Sequence, residues 1–443
     1  MRSVSYSKEL AIVSLGMTPF YRVGPEQWFD NFSIVSLYNW DVTDQGAPQV
    51  FALRDITPGL ELKPLNTQSM VRTDEFSRIV TENNLQDHNF ITYRPVDLGF
   101  GSSIGDDNKV YTRTYENKQW LRERYGEELP FPVYREETLE DLMADPDGAH
   151  ARLSSELESH KLVVQHEKLT GGRGTFLAAD SAGFAQALQT LAANKKVKPE
   201  HRIIVSREVS NPREVSMQAC VTQHGVFVGP VQSQFVRHPL LVDIANPDAD
   251  KFCGGLIDNS MISEENRSRA AQVVEKLAND MKNEGYKGIF GVDFLLDAFN
   301  ELYILEVNAR MTGMLPLLTR LQSEKPFLLM HILESIGAEY SLQDGEDEGV
   351  SGAYVLMHAA KDGVVPDGVM KSGTYSSEGE FTSEKIGPGD GFVLHNYTLP
   401  GQKIAAGTRL GAVFFAPDSE NEELAGLDVT FVEKFLESSD QLP

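Results

Sequence analysis

The sequence predicts an α/β (α+β) protein built from several structural units, on three observations. Residues 1 to about 115 alternate short apolar runs with polar, helix-like segments, the pattern of a small α/β layer. The stretch Tyr286 to Gly313 reads as two apolar strands joined at Asp297-Ala298-Phe299-Asn300, a turn-forming cluster of hairpin length. From Ala353 the texture changes to short strands punctuated by glycine and proline, a β-rich C-terminal region.

At 443 residues the chain accommodates roughly two to four units with sizeable cores. A net charge of -25 argues against nucleic acid or an anionic membrane as a main partner, because both need a basic footprint. Cys220 and Cys253 form no CxxC or other metal spacing, so a reducing, cytoplasmic setting is the simple inference. No apolar run approaches the length that spans a bilayer. The first one, Leu10 to Leu15, is too short for a secretory core and reads as the first strand.

Taken in order, the candidate strands of the first layer are Ala11–Leu15, Ser33–Leu37, Val50–Leu53 and Phe90–Tyr93. Neither GxGxxG nor GxxxxGK[ST] occurs there, which excludes a dinucleotide fingerprint and a P-loop. Trp120, Leu121 and Tyr125 have helical spacing, closed by Gly126. Leu162 to Ala178 reads as strand, glycine-rich loop (Thr170 to Thr175), strand; such glycines let backbone N–H groups approach a phosphate closely. Phe184 to Ala193 is an amphipathic helix. In the stretch from Ile203 to Val221, Val215, Met217, Ala219 and Val221 alternate inward as core. Gln223-His224-Gly225 is a turn before strand Val226–Val231, after which Gln232, Gln234, Arg237 and His238 fall where substrate or phosphate contacts are expected. Lys251 to Gly255 reads as a small loop. Ser263-Glu264 opens a capped helix running to Met281. Leu315–Leu321 and Pro326–Ile336 are apolar helices, residues 338 to 349 an acidic linker, and the tail from Ser438 disordered.

The hairpin carries the chemistry. Strand residues alternate faces, so Glu306, Asn308 and Arg310 share one face while Val307 and Ala309 share the other. With the turn centred on Ala298-Phe299, residue 306 lies opposite 291, and Asp293 becomes the diagonal neighbour of Glu306 on the same face. Polar alternation usually marks a solvated strand face. Here the flanks are apolar (Ile289, Phe290, Phe294, Leu295, Leu296, Ile304, Leu305), and enclosing four such groups without a ligand is costly. Mg²⁺ wants oxygen ligands and is held by one or two carboxylates plus substrate phosphates. Asp293, Glu306 and Asn308 are therefore the candidate metal ligands. Arg310 is the candidate catalytic cation, placed for a phosphoryl oxygen or a developing oxyanion.

Gly291-Val292-Asp293-Phe294 followed by Leu305-Glu306-Val307-Asn308-Ala309-Arg310 and Thr312-Gly313 resembles the metal-binding end of the ATP-grasp superfamily, which includes biotin carboxylase and the carboxylate–amine (peptide and L-amino-acid) ligases. The resemblance implies an ATP-grasp domain over 116–340, a pre-ATP-grasp α/β domain over 1–115 and a β-rich C-terminal domain over 350–443. It implies ATP with Mg²⁺ (or Mn²⁺), an acyl phosphate made from a small carboxylic acid, and attack on it by an amine such as an amino acid or peptide; a homodimer is compatible with it. By the same resemblance Lys118 reaches the ATP phosphates. Gln165, Lys168, Gly171, Gly172, Arg173 and Gly174 belong to the phosphate-covering flap and its incoming strand. Arg207, Glu208 and Val209 form the adenine-gripping hinge, and Glu214 accepts from ribose. Two departures stand out: Gln165 where biotin carboxylase has a lysine, and Ser206 where the family often has a carboxylate. Carboxyl-phosphate chemistry like that of biotin carboxylase and a non-catalytic ATP-binding regulator are the alternatives.

Overall fold

The computed structural model describes residues 4–16, 25–37, 49–60, 62, 66–100, 103–167, 169, 174–236, 252–322, 324–343, 350–359, 361–376, 380–383 and 392–415. The N-terminal layer is a parallel sheet in the order Gln49–Ala52, Asn31–Ser36, Ala11–Gly16, Asn89–Ile91. Each strand lies within two residues of its sequence-based bounds. Ile12, Ile34 and Ile91 pack to one side and Val13, Val35 and Phe90 to the other. Burial on both faces explains why these strands are continuous apolar runs instead of alternating ones.

One strand escaped the sequence reading. Val4–Tyr6 pairs antiparallel with Tyr340–Leu342, so part of the expected 338–349 linker is a strand. It brings the two ends of the first 342 residues together. Residues 344–349 of that linker, and the tail from Ser438, lie outside the described residues.

A second, four-stranded antiparallel sheet runs Tyr134–Thr138, Arg202–Arg207, Leu162–His166, Thr175–Ala178. Helices Pro146–Glu156 and Ser181–Ala193 cover it, burying Leu153, Phe184, Leu188 and Leu191 against Leu162, Val164, Ile203 and Val205. Asp145 and Asp180 cap the two helices by accepting the N–H of Gly148 and Gly183, satisfying donors that the first turn leaves open.

The largest sheet has ten strands, in the order Leu302–Asn308, Gly288–Leu296, Arg213–Thr222, Gly225–Val236, Phe252–Ile257, Gly352–His358, Arg409–Phe415, Phe392–Asn396, Gly373–Tyr375, Phe381–Ser383. The C-terminal strands thus continue the sheet that carries the hairpin. Phe252–Ile257 corrects the expected loop at 251–255. Gly254 sits at φ +120°, and a Cβ there would lie 2.1 Å from the Tyr354 carbonyl oxygen. Glycine in this strand therefore marks close backbone approach, not a turn.

On one face of the sheet, helix Glu264–Asn283 lays Ala270, Val273, Val274, Leu277, Ala278 and Met281 over Val215, Met217, Phe290, Val292, Phe294 and Val307. Their three- and four-residue spacing is what makes one stripe of a helix apolar. Each large side chain buried there contributes about 1.5–3 kcal/mol. Ser263 starts the helix by accepting the Asn266 N–H. On the opposite face lies helix Phe327–Ser335, mostly apolar and buried over most of its length, its polar His331 and Glu334 included. No helix among the described residues is long and apolar enough to cross a membrane.

Candidate active site

The hairpin register differs from the expected one by one residue at the turn and by a second at a β-bulge. Leu296 pairs with Leu302 and Phe294 with Ile304, then the register shifts so that Asp293 lies directly opposite Glu306 and Gly291 opposite Asn308. The two carboxylates are direct cross-strand partners, not diagonal ones. The physical reason is packing: Phe294 and Ile304, and likewise Val292 and Val307, must all enter the core. Leu305 is the extra residue that lets both pairs do so, as bulges re-aim side chains near functional sites. At the far end the Asp297 carboxylate accepts the N–H of Phe299 and Glu301, while Asn300 takes φ 61°.

The polar face extends across neighbouring strands. Ser216 pairs with Asp293 on one side and Gln232 on the other. Asp293 accepts from the Gln234 side chain at 3.3 Å and from the Asn308 side chain at 2.9 Å. Gln218 donates to Gln232 at 3.1 Å, both fully buried. The sequence points to Gln232 and Gln234 but not to Ser216 and Gln218. Their alternation with the core residues Val215, Met217 and Ala219 is the signal that locates them. Glu214 is exposed on the same face, and its charge helps to raise the Asp293 pKa.

Lys118 opens helix Lys118–Tyr125, where Asn117 caps by accepting from Gln119 and Trp120. Its side chain is only 5% exposed and its amine sits 3.0 Å from Glu306 Oε2. The Lys118 N–H donates to the Glu167 carbonyl at 3.0 Å. These contacts set the charges. Burial, then the negative Glu306, raises the Asp293 pKa. Burial pushes Glu306 up as well, but the adjacent Lys118 ammonium outweighs it and holds that carboxyl low. Two hard oxygen acids facing one another, one of them disfavoured as an anion, form a donor set that suits a divalent cation.

Arg310 is anchored on several sides. Its Nε lies 2.7 Å from Glu116 Oε1 as a charge contact lacking hydrogen-bond alignment. Nη1 donates to the Tyr93 hydroxyl at 2.9 Å and the Met311 carbonyl at 3.0 Å, and Nη2 donates to Asn308 Oδ1 at 2.8 Å. Burial acts to lower its pKa, but Tyr93, Glu116, Glu306 and Asp293 raise it above the usual guanidinium value. Arg94 also approaches Glu116, at 3.6 Å. Tyr93 follows the parallel strand Asn89–Ile91, so the N-terminal layer supplies part of this site. A small cavity beside it is lined by Thr92, Tyr93, Asn108, Thr112 and Arg310. Sequence reasoning gave Tyr93 and Glu116 no role, since their contacts span long separations in the chain.

The remaining candidates lie on the four-stranded sheet. Gln165 is buried and donates to Thr175 at 3.4 Å. The Gly174 carbonyl accepts the His166 N–H at 2.8 Å. A Cβ on Gly174 would meet that of Leu169 at 2.6 Å, so glycine is required there. Arg207 and Glu208 donate their N–H groups to the Val133 and Lys161 carbonyls, both at 3.2 Å, and Val209 is buried. The Glu208 carboxylate pairs with Lys161 at 3.4 Å. The structure therefore gathers Lys118, Asp293, Glu306, Asn308 and Arg310 into one cluster. Among the described residues no hydrogen bond joins 207–209 to it. Lys168, Gly171, Gly172 and Arg173, with Arg237 and His238, lie outside the described residues.

Residues 119–314 match the model of the ATP-grasp domain family. No curated protein matches the sequence. Among solved structures, the chain is similar to phosphoribosylamine–glycine ligase from Thermotoga maritima, with 13% identity, 97% of each chain covered and a TM-score of 0.59. It is also similar to N5-carboxyaminoimidazole synthase from Aspergillus clavatus in complex with ADP and 5-aminoimidazole ribonucleotide, with 12% identity over 96% of this chain and 99% of that one and a TM-score of 0.56. A third is the biotin carboxylase domain of 2-oxoglutarate carboxylase from Hydrogenobacter thermophilus, with MgADP, ADP and bicarbonate, at 13% identity over 93% of this chain and 86% of that one and a TM-score of 0.54. At such identities the likeness shows a shared fold over most of the chain.

Proposed function

The chain carries an ATP-grasp domain, and from that premise we propose that it is an ATP-dependent, ADP-forming ligase that joins a small carboxylic acid to an amine through an acyl phosphate. The observation that carries the reading is the direct pairing of Asp293 with Glu306, beside Asn308, Lys118 and Arg310. Asp293 and Glu306 would hold Mg²⁺ or Mn²⁺ with Asn308 as a neutral oxygen ligand; the metal, when bound, neutralises phosphate charge and orients the phosphoryl group. Lys118, 3.0 Å from Glu306, would meet the same phosphates. The substrate carboxylate enters beside Arg310, whose guanidinium Tyr93 and Glu116 hold in one orientation. That fixed cation stabilises the charge spread over the transferring phosphoryl group and then over the tetrahedral adduct formed by the amine. Adenine would lie along Arg207, Glu208 and Val209, with Glu214 on the ribose.

A second reading is carboxyl-phosphate formation from bicarbonate, supported by the likeness to a biotin carboxylase domain. The two separate in one experiment: ADP release screened across carboxylic acids, amino-acid pairs and bicarbonate, with hydroxylamine present as a trap. A hydroxamate that depends on a carboxylic acid and ATP supports the ligase. ADP release that responds to bicarbonate alone supports the second reading, and ATP binding with no ADP release under any condition overturns both in favour of a regulator.

A further inference from the structure

We propose that His166, Glu167 and His201 form a second metal site, of the zinc class and separate from the Asp293–Glu306 pair. One ligand atom from each of the three lies within 4.8 Å of the others. His166 Nε2 and His201 Nδ1 are hydrogen-bonded to one another at 3.0 Å, a bond whose proton a metal ion would displace. With zinc–nitrogen bonds of about 2.0–2.1 Å, two ligands of a tetrahedral site stand roughly 3.3 Å apart, so the nitrogens need part by only about 0.3 Å. The rings cross at 64° instead of stacking, which lets both edges face one point. His201 Nδ1 also accepts the Lys198 N–H at 3.3 Å, a long bond that the metal replaces.

The backbone that carries these groups is pinned. His166 pairs with Ile203 in the sheet and donates its N–H to Gly174. Glu167 accepts the Lys118 N–H at 3.0 Å, and His201 donates to Lys198 and accepts from Leu139, both at 3.0 Å. His166 and Glu167 are buried, 2% and 6% exposed. Ligands held on fixed backbone reach the metal with little reordering. Two imidazoles and a carboxylate make a three-ligand set with one position left for water. Its nitrogens select a zinc-type ion, whereas Mg²⁺ keeps to the oxygen ligands of the hairpin. Occupancy ties the end of strand Leu162–His166 to the segment that precedes Arg202–Arg207. It acts next to the carbonyl that holds Lys118.

The test is calorimetric titration of ZnCl₂ into the tag-free full chain, stripped with chelator and kept in excess Mg²⁺. Expected are a single saturable site, a rise in thermal midpoint on binding, and the strong visible absorption of tetrahedral coordination when Co²⁺ replaces zinc. Because even partners behind a ligand contribute 10–100-fold in affinity, His201→Ala and Glu167→Gln should each weaken binding by about 100-fold. Glu306→Gln and Asp293→Asn should leave it unchanged. Absent saturable binding, binding that survives intact in both His201→Ala and Glu167→Gln, or binding lost in Glu306→Gln would overturn the site. None of these results bears on the ligase reading, which concerns the other cluster.

Discussion

Gly288 opens the strand that carries Asp293, and replacing it by alanine tests how that strand is seated. Its backbone sits at φ +93°, and a Cβ built there would lie 2.0 Å from His331 Nδ1 and 2.9 Å from Cε1. The ring cannot move aside easily: it is 4% exposed, packs against Gly105 on its other edge, and accepts the Ile289 N–H at 3.3 Å. Left-handed backbone for a residue with a side chain adds about 1–2 kcal/mol, and overpacking a core site adds about 1–3 kcal/mol. Gly288→Ala should therefore destabilise by about 3 kcal/mol in equilibrium denaturation. A double-mutant cycle divides the two effects. In a His331→Ala background the overlap disappears, so the loss from Gly288→Ala should fall to the backbone part, about 1–2 kcal/mol. A Gly288→Ala protein within about 0.5 kcal/mol of wild type, the range of an inert surface change, would refute the reasoning.

Other perturbations have equally definite outcomes. Lys118→Met removes the cation from a pair whose Glu306 side is 29% exposed; with solvent discounting the 3–5 kcal/mol of a fully buried pair, the loss in chelator should be about 2 kcal/mol, shrinking when Mg²⁺ is added. Burial pushes the His331 imidazole down to about 4 from an ordinary 6.5. The folded state thus disfavours the protonated ring: this group's contribution is complete above pH 6.5, and about 3 kcal/mol of it is lost as pH drops to 4, the part of the pH dependence that His331→Ala should remove. Tyr93→Phe deletes the hydroxyl that accepts from Arg310. A hydrogen bond to a charged group contributes about 1.5–3 kcal/mol, so kcat/KM should fall by about 10-fold or more while ATP binding is retained.

What the sequence disclosed, and what it withheld, follows from the range of the interactions. Alternation within a strand is local, so it separates Val215, Met217 and Ala219 from the opposite face and puts Glu306 and Asn308 on one side, whereas Asp293 joins them only through the pairing of two strands. The bulge at Leu305 is not local. It answers the demand that Ile304 and Val307 share a core with Phe294 and Val292, so only the paired strands reveal it. The same holds for Phe252–Ile257, whose glycines resemble a loop until the Tyr354 carbonyl is seen beside Gly254. Arg310 was legible as a cation on the right face, whereas its supports were not, because Tyr93 and Glu116 reach it from distant parts of the chain. Lys118 shows the reverse: a lysine at a helix start would ordinarily be solvated, but here its place beside Glu306 leaves it buried.

The central claim is that Asp293 and Glu306 together hold the divalent ion that serves ATP. It is tested most directly by Mn²⁺ binding in the presence of a non-hydrolysable ATP analogue, followed by electron paramagnetic resonance in wild type and Glu306→Gln. Wild type should bind the ion tightly, and the variant, with an unchanged circular dichroism spectrum, should bind it about 100-fold more weakly. Equal Mn²⁺ affinity in the two proteins would contradict the account.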